Sequence, residues 1–186
     1  NGVKKHNLPI ISGTSWAGAI RHRAEKILNQ LKCSEAKSEQ LIKKWFGYVE
    51  TSNDNTKEKA SQSMVRIDES ILKNSNPLIT VRNNVNRFSG ATVEGALYKE
   101  KAYFGGDTVL KIKVQKDKDG LYKSLIALLY LVMKDIEKGY LSIGGATAIG
   151  RGLFTENGDI TITFPEKDNL NECNKELIKI IQSEEM

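Results

Sequence analysis

Two stretches of this 186-residue chain carry residues of the type and spacing that meet anions. The first is Pro9-Ile-Ile-Ser-Gly-Thr-Ser-Trp-Ala-Gly-Ala-Ile-Arg-His-Arg23. Ser12, Gly13, Thr14 and Ser15 make a hydroxyl-rich turn, Gly18 keeps one later position small, and Arg21 and Arg23 follow. A turn of this kind feeds a helix N-terminus, where unpaired main-chain N–H groups face outward and favour negative charge. The second stretch is Ser142-Ile-Gly-Gly-Ala-Thr-Ala-Ile-Gly-Arg-Gly-Leu-Phe154, which packs Gly144, Gly145, Gly150 and Gly152 around Arg151. Glycine permits close backbone approach, and a guanidinium with small neighbours can fork onto a phosphate. Two anion-facing elements on one basic chain imply a polyphosphate partner, nucleic acid foremost.

The second stretch is neither a Walker loop nor a dinucleotide fingerprint. No Gly-Lys-Ser/Thr follows the glycines of the second, so it is not a Walker loop. A dinucleotide fingerprint needs a strand before the loop and a helix after it, and here the order is inverted. The plain alternative is a turn that lets a helix pack tightly on the next strand. For the first stretch it is ordinary helix capping by Ser12, Thr14 and Ser15. Gly18 costs a helix interior about 1 kcal/mol relative to alanine, which suggests close approach of another segment or a ligand.

A third stretch, Val81 to Lys99, combines Arg82, Arg87 and Lys99 with Phe88 and Tyr98 among many amide side chains. Cations interleaved with aromatics suit single-stranded nucleic acid, through phosphate contact and base stacking. A solvated hairpin with one buried aromatic is the alternative.

Catalytic chemistry finds little support. His22 lies beside arginines without a carboxylate partner and reads as a surface histidine. Asp68 and Asp107 look isolated. Cys33 and Cys173 have no base motif near them and are too few for a disulfide framework or a zinc cluster. Only His6 and His22 occur, which excludes a histidine-rich metal site. No catalytic residue, metal or cofactor is assigned.

Charge is uneven along the chain. The total is +5, yet residues 1–48 hold nine Lys/Arg against three Glu, and residues 156–186 hold three Lys against eight Asp/Glu. The body is therefore more basic than the total, as a phosphate-binding surface requires. The longest apolar run, Leu125 to Met133, is too short to span a bilayer. No signal peptide is visible, so a cytoplasmic location and no membrane partner are expected.

These residues need elements to hold them. Apolar positions Trp16, Ile20, Ala24, Ile27, Leu28 and Leu31 predict a helix from the Ser12 turn to about Lys32. Ser34 begins a second, Glu35 to Phe46, with Leu41, Ile42, Trp45 and Phe46 inward and Gly47 as terminator. Residues 50–60 read as an exposed loop. Period-two patterning predicts strands at Met64–Ile67, Leu78–Arg82, Ala96–Phe104 and Thr108–Val114, the last with Lys111 and Lys113 on one face. After the Asp117–Gly120 turn, a long apolar helix runs Leu121 to Glu137 and ends at Gly139. Two strands are expected after the glycine-rich loop, Gly152–Thr155 and Ile160–Phe164, joined by a turn at Asn157-Gly158. An amphipathic helix from Asn169 to Gln182 closes the chain. The order is that of an α+β, ferredoxin-like βαββαβ unit without its first strand, which the eight mostly polar residues before Pro9 do not supply.

In sequence, the chain resembles the RAMP superfamily of CRISPR-associated proteins. The Pro9–Arg21 stretch is similar to the family's Ile-Pro-Gly-Ser-Ser-Leu-Lys-Gly-x-Leu-Arg, with Trp16-Ala17 in place of Leu-Lys. Trp45-Phe46-Gly47 resembles its Leu-Phe-Gly. Val81–Gly106 resembles a stretch of the backbone subunits of type III effector complexes, with Asn86 where Asp usually precedes the arginine. Ser142–Phe154 is similar to the family's glycine-rich loop, without the usual cation between Gly145 and Gly150.

The resemblance implies an RRM-like domain over residues 1–164, with insertions at about 34–60 and 70–106, followed by an acidic helical tail at 165–186. It implies a structural subunit holding CRISPR RNA beside other effector subunits, with a β-hairpin from Val81–Tyr103 intruding on the guide–target RNA duplex. Ser12, Gly13, Thr14, Ser15, Gly18, Arg21, Arg23, Arg82, Arg87, Phe88, Gly144, Gly145, Gly150 and Arg151 are the RNA-facing residues it implies. Some family members cleave target RNA with an aspartate upstream of the Pro9 motif, a position ahead of Asn1. A RAMP-family RNA endonuclease and a nucleotide- or phosphate-binding enzyme are the alternative readings.

Overall fold

The computed structural model describes residues 8–50, 59–155, 160–164 and 168–183. The polar start before Leu8, most of the 50–60 loop and the Asn157-Gly158 turn lie outside the described residues. In chain order the elements are β1 (Ile10–Ile11), α1 (Gly13–Gln30), α2 (Glu35–Phe46), β2 (Tyr48–Glu50), β3 (Lys59–Ser61), β4 (Val65–Ile67), β5 (Ser70–Ile71), β6 (Asn76–Arg82), β7 (Tyr98–Phe104), β8 (Ile112–Val114), α3 (Leu121–Glu137) and α4 (Leu170–Gln182). Helices and antiparallel strands together make the expected α+β class. The described strands form four two-stranded antiparallel pairs: β1 with β5, β2 with β3, β4 with β8, and β6 with β7.

The chain divides into two compact units. One joins Asn1–Ile11 to Ser70–Val109; the other joins Ser12–Glu69 to Leu110–Met186. The second unit holds the core. Trp16, Ile20, Ala24, Ile27 and Leu28 of α1 are buried, as are Leu41, Ile42 and Trp45 of α2. α3 packs against α1 and against α4, and contributes Leu125, Ala127, Leu128 and Val132 with no exposed surface. Each such large aliphatic chain contributes roughly 1.5–3 kcal/mol on burial. Helix ends follow their chemistry. Ser12 accepts from the Ser15 N–H at α1, and Asp117 accepts from Leu121 N and Tyr122 N at 3.1 and 2.9 Å at α3.

Three expectations change. Leu31 leaves the buried stripe and is exposed, because α1 stops at Gln30 and Lys32 turns left-handed at φ 62. Cys33 is buried just beyond it. The strand expected over Thr108–Val114 shortens to Ile112–Val114, since its partner β4 offers three residues, Val65↔Val114, Arg66↔Lys113 and Ile67↔Ile112. The two strands expected after the glycine-rich loop do not form ladders. Leu153 makes only an isolated bridge to Ser142, and Ile160–Phe164 has no regular structure. Alternation specifies extended backbone, whereas a strand also needs a hydrogen-bonded neighbour.

α4 is tied to its neighbours by polar contacts as well as by buried Cys173 and Leu177. The Asp168 carboxylate accepts from Lys123 at 2.8 Å and from the Tyr122 hydroxyl. Lys37 of α2 reaches the Ser183 carbonyl and hydroxyl at the far end of α4. The Lys123 ammonium, and next the Tyr122 hydroxyl, hold the Asp168 carboxyl below its ordinary value of 3.8. A carboxyl depressed on folding stabilises the native state above its unfolded pKa and loses that contribution as pH falls through the folded one. Thermal melts between pH 7 and pH 3 should show a steeper acid loss for the wild type than for Asp168→Asn, the variant being less stable at pH 7. Parallel curves would separate Asp168 from acid stability.

Candidate nucleic-acid interface

At the start of α1 the hydroxyls are organised before any ligand arrives. Ser12 Oγ lies 3.1 Å from Thr14 Oγ1 and 2.8 Å from Ser15 Oγ, and it also accepts from Ser15 N. All three residues are exposed, and no acidic residue occupies the first helical turn to offset its positive end. Gly13 has a different task. A Cβ there would collide with the Ile67 carbonyl, so glycine lets α1 begin against the end of β4.

The glycine-rich loop hangs from buried Ile143, with residues 144–150 exposed. A single 3-10 turn, Thr147–Ile149, sits between left-handed Ala146 (φ 59) and Gly150 (φ 82). Gly144 is also left-handed, while Gly145 is not. Gly152 closes the loop: its carbonyl accepts from Ile143 N at 2.9 Å. Arg151 beside it is half-buried. One contact ties this loop to the helix tip. The Trp16 and Phe154 rings lie 5.2 Å apart, tilted by 42°. Trp16 is two residues from Thr14 and Phe154 three from Arg151, so the two candidate stretches belong to one neighbourhood of one unit.

Not every residue singled out in the sequence faces solvent freely. Arg21 donates to the Gly47 carbonyl at 3.3 Å, a cation at the end of α2. Arg23 pairs with Asp135 of α3 at 2.7 Å in a partly buried setting. Both arginines thereby link helices within the unit. His22 is exposed. Gly18 is exposed and a Cβ there would meet nothing within 4 Å, so no other segment among the described residues accounts for its small size.

In the other unit β6 and β7 form a long hairpin, in register from Asn76↔Phe104 to Arg82↔Tyr98. Arg82 pairs across the strands with Glu100 at 3.2 Å. Beyond Arg82 the chain turns about Asn86, whose side-chain oxygen accepts from Phe88 N and Ser89 N at 2.8 and 3.2 Å. This turn presents Phe88 at 98% exposure, beside exposed Arg87. The alternative of a buried aromatic here is thus excluded for Phe88. The register also groups Ile79, Val81, Lys99, Lys101 and Tyr103 on one exposed face, with Lys101 Nζ 5.2 Å from the Tyr103 ring centre. Lys101 and Tyr103 were legible as an alternation, Lys99-x-Lys101-x-Tyr103, but needed the strand pairing to become a face. Among the described residues of this unit no apolar side chain is buried.

Nucleophilic and metal chemistry gain nothing from the arrangement. Burial raises the thiol pKa of both Cys33 and Cys173, which leaves them protonated and weakly reactive. No cluster of three potential metal ligands occurs among the described residues. No helix of the described residues is long and apolar enough to cross a membrane. The two aspartates that looked isolated are not. Asp107 accepts from Asn74 at 3.2 Å. Asp68 lies 3.4 Å from Arg66 Nε and 3.6 Å from Lys113 Nζ.

Comparison with known proteins places these features in a family. A chain of a solved CRISPR RNA-guided surveillance complex is similar at 12% identity and a TM-score of 0.47, covering 91% of this chain and 68% of that one. Curated protein sequences give no match. The model of the RAMP superfamily matches residues 1–155, a span that holds the α1 tip, the β6–β7 hairpin and the glycine-rich loop. The chain belongs to the RAMP superfamily.

Proposed function

We propose that this chain is an RNA-binding structural subunit of a CRISPR-associated ribonucleoprotein of the type III kind, holding the CRISPR RNA backbone in the cytoplasm. In this reading α1, β4, β8 and α3 are the αββα portion of a ferredoxin-like, RRM-like core. Ser12, Thr14 and Ser15 and the loop around Arg151 contact phosphates, while Arg87 and Phe88 at the hairpin tip meet bases of the guide or of target RNA. Other effector subunits cover the apolar surface of the hairpin unit. The observation that carries the reading is the Trp16–Phe154 contact, which brings two anion-facing stretches, far apart in sequence, into one neighbourhood.

Filter binding of single-stranded RNA at rising salt tests it. Neutralising several phosphates makes the logarithm of affinity fall linearly with the logarithm of salt, by about 0.7 per phosphate on a single strand. Arg151→Ala should flatten the slope by roughly that amount. Phe88→Ala should weaken binding by about 1–3 kcal/mol, the worth of one stacked base, with the salt slope unchanged. Labelled CRISPR repeat RNA should stay intact throughout. Cleavage would favour the endonuclease reading, and mononucleotide binding without RNA binding would favour the nucleotide-binding enzyme.

A further inference from the structure

We infer that the solvent face of the β4–β8 ladder is a second contact surface for the phosphodiester backbone, formed by Arg66, Lys111 and Lys113 and governed by Asp68. The inference deepens the RNA-binding reading above and rests on it. Arg66 and Lys113 are directly opposite one another in the ladder. Asp68 N donates to the Lys111 carbonyl at 3.3 Å, which carries the pairing one step past Ile67↔Ile112. Strand alternation therefore puts Arg66, Asp68, Lys111 and Lys113 on a single face, and Val65, Ile67, Ile112 and Val114 on the other. The apolar face is covered: Val65 is buried, β4 packs on α1 and β8 on α3. The charged face is open, with Arg66 79% and Lys113 67% exposed.

Three cations and one carboxylate on so small an area need explanation. Like charges directly opposite on an antiparallel pair destabilise it. Here the Asp68 carboxylate sits between Arg66 and Lys113, within ion-pair reach of both and 35% exposed. It holds together two cations that otherwise repel, and the patch still keeps an excess of positive charge. The patch also adjoins the α1 tip. A Cβ on Gly13 would collide with the Ile67 carbonyl and come within 3.5 Å of the Asp68 carbonyl carbon. The helix N-terminus thus meets the end of β4 at Ile67 and Asp68, in the same unit as the cationic face. A single phosphate fits the helix tip alone, whereas a line of phosphates fits the tip and the ladder together. A polynucleotide strand supplies that line, and its phosphates take the place of Asp68 as partners of Arg66 and Lys113.

Single-stranded RNA, and the same strand paired to its complement, are titrated against the full chain over a range of salt, with circular dichroism to check folding. Arg66→Ala/Lys113→Ala should cost on the order of tenfold in affinity at low salt and flatten the slope by about 1.4 for a single strand. Lys175→Ala/Lys179→Ala on α4 removes the same charge and should leave the slope nearly unchanged. Asp68→Asn should raise affinity, since the competing carboxylate is gone; a fall would overturn the inference. So would equal losses in the two double variants, or no loss in the first. A larger loss for the single strand assigns the ladder to unpaired RNA, and equal losses for both forms assign it to the backbone irrespective of pairing. Wild-type protein without RNA affinity sinks the functional reading as well. Wild-type binding that Phe88→Ala weakens and Arg66→Ala/Lys113→Ala does not sinks this inference alone.

Discussion

Replacing Trp16 by alanine should lower the unfolding free energy by about 3–5 kcal/mol, the usual result of truncating a fully buried tryptophan. Trp16 is 1% exposed and stands one turn into α1, so its ring fills the core while its backbone belongs to the candidate RNA-facing turn. Its neighbour Phe154 would lose its ring partner and leave the glycine-rich loop less firmly seated. Denaturant titration should therefore show an earlier midpoint with an unchanged slope, and RNA affinity should fall at temperatures where the variant is still folded. Leucine, the residue common at this position in the motif the chain resembles, should recover part of the stability by filling part of the volume. A Trp16→Ala protein as stable as wild type would mean that this contact does not organise the site.

Gly152→Ala is the second large effect. The residue is left-handed at φ 73, and an added Cβ would run into the carbonyl of Ile143. Relief by backbone shift is blocked, because Ile143 N donates to the Gly152 carbonyl and Ser142 bridges Leu153. A left-handed non-glycine residue costs roughly 1–2 kcal/mol and overpacking typically another 1–3, so a loss of about 2–5 kcal/mol is expected. Gly145→Ala is the control. It is exposed, a Cβ there meets nothing within 4 Å, and its stability should stay within about 0.5 kcal/mol of wild type. Melting temperatures of the two variants side by side check the contrast. Similar values would show that the loop does not depend on the close approach at Gly152.

Local patterns settled the helices. Ser12 and Ser34 announced two helix starts, and the apolar spacing of α1 and α2 announced which of their faces would be buried, Leu31 excepted. A helix satisfies its backbone within a few consecutive residues, so its signals are adjacent in sequence. Strands were less legible. The segments Gly152–Thr155 and Ile160–Phe164 alternate as strands do, but pairing depends on a distant neighbour that alternation does not name. The same limit applies to charge. From sequence Arg23 was a candidate RNA contact and Asp68 an isolated carboxylate; in space Arg23 belongs to Asp135, and Asp68 to Arg66 and Lys113.

Residue types and order alone thus determined that the chain is α+β, basic in its body, and similar in motif to RAMP proteins. Tertiary structure decided which arginines tie helices together, which charged groups share a face, and that Trp16 and Phe154 meet. The physical reason is range. Capping, turn chemistry and helical periodicity act between neighbours in sequence, whereas ion pairs, ladder register and ring contacts join groups that only the folded chain brings within a few ångströms.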